Sequence, residues 1–305
     1  MKAIVVDDQE TGLSGMQLVD RPVPEAGINE VVVQVFAAGF VRDEMEWPPT
    51  WIDRRGLIRS PTIPGHELAG VVTSVGYGTT GLSIGQRVFG LADWYRDGSL
   101  AEYIAIEARN LAPLPEDIEF SVGASLPISG LTAWQGLFQH GRIKAGQRIL
   151  VHGAAGAVGT MVSQLALEAG AHVIGTGRAV DRMKALHYGC HEFIDLDNEI
   201  LEGIDVVDLV FDVIGGEIGA RSANLIRPGG VFVSVVGPQS SLPQNIEVID
   251  FVVEADRSQL VELANRIRDG RLLANIGRVI TLENAAADLN MHHRISGKTI
   301  IHIRC

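Results

Sequence analysis

The stretch with the clearest capacity for chemistry is ILVHGAAGAVGTMVSQLALEAGAHVIGTGR, Ile149 to Arg178. A short β-branched run enters a glycine-rich bend, a helical segment follows, and a second apolar run ends in Gly177-Arg178. A bend of this kind suits phosphate. Gly156 lets the backbone approach a pyrophosphate, and Gly159 lets the new helix pack against the strand. The first-turn N–H groups and the positive end of the helix dipole then face the anion. Ala155, Ala157 and Val158 complete the cradle. At the first glycine position of the dinucleotide fingerprint stands Ala154, with Gly153 one residue earlier. Where an acid would accept the ribose hydroxyls, roughly 20 residues on, this chain has Gly177 and then Arg178. No carboxylate there repels a 2′-phosphate, and Arg178 can pair with one bidentately. Arg182, one turn later, either adds charge or is a solvated helix residue. The pattern predicts NADP(H) as cofactor.

The elements around this stretch must position it. Strands are predicted at Arg148–His152, His172–Thr176, Glu192–Asp195, Val206–Val213 and Gly230–Gly237. Helices are predicted near Val158–Ala169, Val180–Tyr188 and Gly216–Ile226. Such alternation implies an α/β fold, a parallel sheet with helices on both faces. The N-terminal part reads differently. KAIVV, EVVVQVFAAG, ELAGVVTSVG and GQRVFGL are short β-rich runs ending at turn residues, the texture of a small barrel or open sandwich. Asp43 to Pro64, with four prolines and two tryptophans, reads as a long ordered loop. SVGASLPISGLTAWQGLFQHG forms a helix interrupted at Pro127 and Gly130. EADRSQLVELANRIRDG is amphipathic, with Leu260, Leu263, Ala264 and Ile267 at helical spacing. The tail GKTIIHIRC reads as a strand that returns to the first domain. The expected division is therefore 1–119 with 282–305, around 120–281.

Composition bounds the partners. A 305-residue chain with a formal charge of −12 is poorly suited to nucleic acid or an anionic membrane as main partner, since phosphates are repelled. Cys190 and Cys305, the two cysteines, suggest neither a disulfide framework nor a thiolate metal site. The N-terminus turns acidic after five residues, which does not suit a secretion signal. A soluble cytoplasmic protein is the default expectation.

The order of β-rich domain, dinucleotide domain and returning tail resembles the medium-chain dehydrogenase/reductase superfamily. VHGAAGAVG resembles its zinc-independent quinone oxidoreductase-like branch, with support from PGHELAGVVTSVG, GQRVFGL, GSLAEYIAI, LPISGLTAWQGL and GKTIIHI. The resemblance spans essentially the whole chain. It implies a Rossmann-type doubly wound sheet plus a GroES-like domain. It also implies hydride transfer between NADP(H) and a small quinone or α,β-unsaturated carbonyl compound, and a possible homodimer. Thr132, Val213, Gly215, Val236, Gly237, Phe251 and Val252 match stretches near the nicotinamide, and each is also a plausible packing residue. Zinc-dependent members place cysteines after an A-x-G stretch and in a later helix. Here AAGFVRDE has none and Ile128 occupies the later position. His66 and Glu67 remain, too few for a catalytic zinc site, so no metal is expected and His66 reads as a hydrogen-bonded residue near the cleft. The family's Asn and Tyr are also replaced in that loop, which leaves Arg42, the indole N–H of Trp47 or Trp51, and Tyr95 as candidates to face substrate. Two alternatives stay open: a relative of zinc-type alcohol dehydrogenases, and a non-catalytic NADPH-binding redox sensor.

Overall fold

Runs of β-branched residues make the N-terminal part a set of strands, as their composition predicts. The computed structural model describes residues 1–237, 242–291 and 295–304, so Cys305 lies outside the described residues. Its strands are β1 (Lys2–Val5), β2 (Gln17–Asp20), β3 (Glu30–Phe40), β4 (Glu67–Val75), β5 (Arg87–Leu91), β6 (Tyr103–Glu107) and β7 (Leu111–Pro113). β1 and β2 pair antiparallel. β3 is the spine of a second sheet, antiparallel to both β4 and β6. Val31, Val33 and Val35 alternate along it into the core, with Leu68 and Ile106 from its neighbours β4 and β6 and Val88 from β5.

The proline-rich segment is ordered by its own polar contacts. It begins with a 3₁₀ turn, Arg42–Glu46, and a one-turn helix α1, Pro48–Trp51. The Trp51 indole N–H donates to the Met45 carbonyl at 2.8 Å, and the Thr50 hydroxyl to the Glu44 carbonyl at 2.6 Å. Arg59 donates to the Pro49 carbonyl and to Asp97.

Helices α2 (Phe120–Ser125) and α3 (Pro127–Trp134) separate at Pro127, and a π-helical turn, Gln135–His140, follows. Gly136 is required in that turn, because a Cβ there would run into the Phe211 ring. The parallel sheet comes next, with β8 (Arg148–Val151), β9 (His172–Gly177), β10 (Glu192–Asp195), β11 (Val207–Asp212), β12 (Ile226–Ser234) and β13 (Glu247–Asp250). Its spatial order is β10-β9-β8-β11-β12-β13, and every pairing is parallel. The chain winds outward from β8 in one direction and from β11 in the other, so a topological switch point lies between them. Helices α4 (Ala157–Glu168), α5 (Arg182–His187) and α6 (Gly216–Ala223) connect the strands. β13 was not apparent from sequence: it is a four-residue edge strand, and its side chains are mostly exposed.

α7 (Arg257–Arg268) buries Leu260, Leu263 and Ala264 as its periodicity predicts. The chain then adds β14 (Ile276–Thr281), α8 (Leu282–Leu289) and β15 (Lys298–His302). β15 lies antiparallel to β3, so the tail does return to the first sheet. Two compact units result. One comprises Met1–Ile128, Glu254–Arg268 and Ile276–Cys305; the other comprises Ser129–Val253 and Asp269–Asn275. Among the described residues, no helix is long and apolar enough to cross a membrane.

Candidate functional site

In the second unit, β8 ends against the glycine-rich bend. Gly153 has φ +59°, a left-handed conformation that favours glycine. Gly159 is needed because a Cβ there would overlap the Gly153 carbonyl oxygen, so α4 seats directly on the bend. Gly156 precedes the first turn of α4 as an extended residue, and no side chain caps that end of the helix. A Cβ at Gly156 would meet only the Gly153 carbonyl, at 3.1 Å. Ala155, Ala157 and Val158 lie where expected, in the bend and first turn. Val213 touches the bend: its Cγ2 lies 3.0 Å from the Cβ position of Gly153.

At the end of β9, Gly177 pairs with Asp195 of β10. Arg178 follows, exposed; its carbonyl accepts the Asp181 N–H at 2.8 Å, while its guanidinium has no hydrogen-bond or ion-pair partner among the described residues. Arg182 differs. Its guanidinium donates to the Phe193 carbonyl at 2.8 Å and pairs with Glu199 at 2.6 Å, so its charge is engaged within the fold. A Cβ on Gly177 would sit 3.1 Å from the Phe193 ring and 3.6 Å from the Asp181 Cβ. Asp195 accepts from the Asn198 amide and the Asp197 N–H, with a further bond from the Ala179 N–H. These bonds hold its carboxyl below the usual range and fix the backbone just after Arg178.

Beneath the bend lies a buried histidine, His152. Its Nδ1 is 2.8 Å from the Thr176 hydroxyl and its Nε2 is 2.8 Å from the Ser222 hydroxyl. Ser222 donates to the Gly219 carbonyl, so it accepts from Nε2–H, and Thr176 donates to Nδ1. That is a neutral Nε2–H tautomer. Burial lowers its pKa to about 4, against the opposing pull of Asp212. Asp212, fully buried at the end of β11, accepts the Ile214 and Gly215 N–H groups, each at 3.0 Å, and so shapes the loop carrying Val213 and Gly215. Val236 and Gly237 follow β12. Phe251 follows β13 and packs on the His140 ring at 4.5 Å. Val252 is exposed, and Thr132 is buried in α3. The predicted cofactor residues thus gather at the carboxyl ends of the parallel strands, with Thr132 on α3.

In the first unit, Glu44 organises a buried cluster. Its Oε1 accepts the Val41 N–H at 3.0 Å, and its Oε2 accepts the Gly65 N–H at 3.1 Å and lies 2.7 Å from His66 Nδ1. His66 is 1% exposed, and its Nε2 is buried with no hydrogen-bond partner among the described residues. Its ring lies 4.8 Å from Trp94, which meets Trp47 edge-on at 5.3 Å. Glu67 accepts the Ile128 N–H and forms a buried ion pair with Lys298. Burial pushes the Glu67 carboxyl up, while Lys298 and Ile128 oppose the rise. Tyr95 is half-buried, under the Arg54 guanidinium. Arg42, expected to face a substrate oxygen, instead donates to the Leu289 and Met291 carbonyls at the end of α8. A cation suits those helix-terminal carbonyls.

Comparison with known proteins now bears on this geometry. Residues 27–116 match the alcohol dehydrogenase GroES-like domain, and residues 157–257 match the zinc-binding dehydrogenase family. The chain is 32% identical over 287 residues to the NADPH-dependent alkenal/one oxidoreductase, chloroplastic, of Arabidopsis thaliana, covering 89% of this chain and 70% of that one. The chain belongs to the medium-chain dehydrogenase/reductase superfamily, in its quinone oxidoreductase-like branch. The quinone oxidoreductase of Coxiella burnetii superposes with a TM-score of 0.90 at 26% identity, over 100% of this chain and 99% of that one. A spectinabilin polyketide synthase protein, NorB, of Streptomyces orinoci is 36% identical over 230 residues, 72% of this chain. The chain spans only 10% of NorB's length.

Some members of this superfamily hold zinc, and the residues here do not fit it. Among the described residues, no three His, Cys, Asp or Glu side chains could hold a metal ion. His66 Nδ1 is bound to Glu44, and the Glu67 oxygens are bound to Ile128 and Lys298. Other residues that shape the site escaped sequence analysis. Asn275 donates to the Ala155 carbonyl at 3.1 Å from more than a hundred residues away, and nothing in LLANIGR signals that. Glu44 lay inside the loop stretch with no motif around it. His152 stood inside the quoted glycine motif, but its partners Thr176 and Ser222 are visible only once β9 and α6 are packed.

Proposed function

We propose that this chain is an NADPH-dependent reductase of quinones or α,β-unsaturated carbonyl compounds, working without zinc. The observation that carries the cofactor reading is the end of β9, where an exposed, unengaged Arg178 follows Gly177 in place of a carboxylate. A 2′-phosphate there meets a guanidinium with its donors free. The cradle fits the remaining phosphates. The uncapped first turn of α4 offers N–H groups, and the open space over Gly156 leaves room for a pyrophosphate. Bound NADPH supplies the hydride. The chain supplies orientation, through the bend, the Asp212-shaped loop and the β12 and β13 ends, all at the carboxyl side of the sheet.

The substrate class rests on two supports. One is the similarity to the alkenal/one oxidoreductase. The other is the Trp47–Trp94 pair beside His66, half-buried apolar faces that suit a planar conjugated carbonyl. With Arg42 engaged at α8 and the Trp51 indole N–H bound to the Met45 carbonyl, Trp47 and Tyr95 remain the substrate-side candidates. Steady-state NADPH oxidation against a panel of quinones, enals and enones tests the reading, run beside NADP-dependent oxidation of simple alcohols with metal analysis of the same sample. Turnover of conjugated acceptors by metal-free protein is expected. Alcohol oxidation that needs one tightly held zinc per chain would overturn it.

A further inference from the structure

Within the first unit, three segments enclose a cavity of about 370 Å³, a size that suits a small molecule. They are the stretch after β1 that carries Gln9 and Leu13, the Arg42–Glu46 turn, and the end of α8 at Asn290. The walls are ordered by bonds of their own. The Thr11 N–H donates to Asp8 at 2.8 Å, and the Ser14 N–H to the Thr11 carbonyl at 3.0 Å. Arg42 is half-buried and pinned through one nitrogen, Nη1, which donates to the Leu289 and Met291 carbonyls. Its Nε and Nη2 have no partner among the described residues. They form the edge of a guanidinium that matches a carboxylate bidentately. Arg221 uses that same edge on Glu202, at 2.7 and 2.9 Å. Glu46, at the other end of the turn, also lines the cavity, and its carboxylate has no hydrogen-bond or ion-pair partner among the described residues. Two opposite charges thus share one wall without pairing. Met45, part of the core, and Leu13, packed against that core, supply an apolar surface between the segments. Gln9 and Asn290 add exposed amides that can donate and accept.

We propose that this cavity binds a small zwitterion, an α-amino acid with an apolar side chain. The ligand's carboxylate takes the free Nε and Nη2 donors of Arg42. Its ammonium takes the Glu46 carboxylate, and its side chain lies on Leu13 and Met45. A simple anion would set a negative charge beside Glu46, and a simple cation would leave the Arg42 donors unanswered. The two unpaired charges therefore select a ligand that carries both. Bound there, it ties the Arg42–Glu46 turn to the end of α8. Such a site is independent of the reductase reading above.

The test is calorimetric titration and thermal shift of the whole chain, with leucine, methionine and phenylalanine as probes. Saturable binding to wild type is expected, with a Kd of about 1 mM or tighter for ligands of this size and a Tm that rises with their concentration. Two analogues of leucine separate the charges. 4-Methylpentanoate lacks the ammonium, and 3-methylbutylamine lacks the carboxylate. Each should bind about tenfold or more weakly than leucine, the loss expected for one charge-assisted contact. Glu46→Gln, at an exposed position, should leave the fold intact and weaken leucine about tenfold, while 4-methylpentanoate binds no less tightly than to wild type. Arg42→Lys keeps the charge but loses the bidentate edge, and should weaken leucine and 4-methylpentanoate alike. Failure of all three amino acids to bind overturns the assignment. So does 4-methylpentanoate or 3-methylbutylamine binding as tightly as leucine, or an unchanged leucine affinity in either variant. None of these results bears on turnover of quinones or enones, so the reductase reading stands or falls by its own assay.

Discussion

Two buried histidines, one in each unit, are treated in opposite ways. His152 has both ring nitrogens bonded to neutral hydroxyls, and burial holds it uncharged. His66 has one nitrogen on a buried carboxylate and the other on nothing. A ring satisfied on both sides in low dielectric is a structural strut: it ties β8 to β9 and α6 and has no proton to give. A ring bonded on one side to a buried carboxylate, with its second nitrogen unused, is held in place but not fully satisfied. Burial alone does not separate the two roles; the count and charge of the partners do.

The largest expected effect is on stability, at the strut. His152→Ala removes a buried ring and leaves the Thr176 and Ser222 hydroxyls unpaired, a loss of about 3–5 kcal/mol by the sum of cavity and unsatisfied-group costs. Thermal or urea unfolding should show it. A loss under about 1 kcal/mol would show that the ring is not needed as a strut.

The pH dependence of stability sharpens the same comparison. His152 has a folded pKa of about 4 against 6.5 when exposed. Between those values the unfolded chain binds more protons, so this contribution to stability is complete above pH ~6.5 and is lost as pH falls toward ~4, about 3 kcal/mol in all. In His152→Gln this portion of the pH profile should flatten, as urea titrations at a series of pH values would reveal. An unchanged slope would mean that other groups carry it.

A second contrast, between two arginines, gives the next effects. Arg178→Ala should weaken NADPH about ten- to a hundredfold and leave NADH nearly unchanged, since a charge-assisted bond is worth roughly 1.5–3 kcal/mol. Titration calorimetry with both cofactors decides it, and equal weakening of the two would make Arg178 structural. Gly177→Asp should move preference toward NADH, but less cleanly than sequence alone implies, because its Cβ presses on Phe193. Gly177→Ala is the control for that packing cost.

The smallest effect belongs to Arg182. Its bonds to Phe193 and Glu199 lie at a partly exposed surface. Arg182→Ala should cost under about 1 kcal/mol of stability and barely alter the ratio of NADPH to NADH affinity. A selective loss of NADPH affinity would return Arg182 to the phosphate site.

Local pattern made much of this legible. β8, β9, β10 and α4 fall within a residue or so of expectation, because the period of apolar residues and the glycine bend are short-range signals. The strand character of the tail was legible for the same reason, while its pairing with β3 joins residues about 260 positions apart. β13 was not: an edge strand with exposed side chains has no period to read. The partners of Arg42 and Arg182 were not legible, since an arginine in sequence shows a charge and not the carbonyl it will meet.

By itself the sequence determined the doubly wound sheet, the bend that opens α4, and an arginine without an acid at the end of β9, because each depends on residues adjacent along the chain. Only the tertiary structure decided which charges are engaged. It joined Glu44 to His66 across 22 positions and His152 to Ser222 across 70. Those pairings set which histidine is neutral and which keeps a nitrogen unused, for the physical reason that desolvation and partner count act through space, on groups the chain order keeps apart.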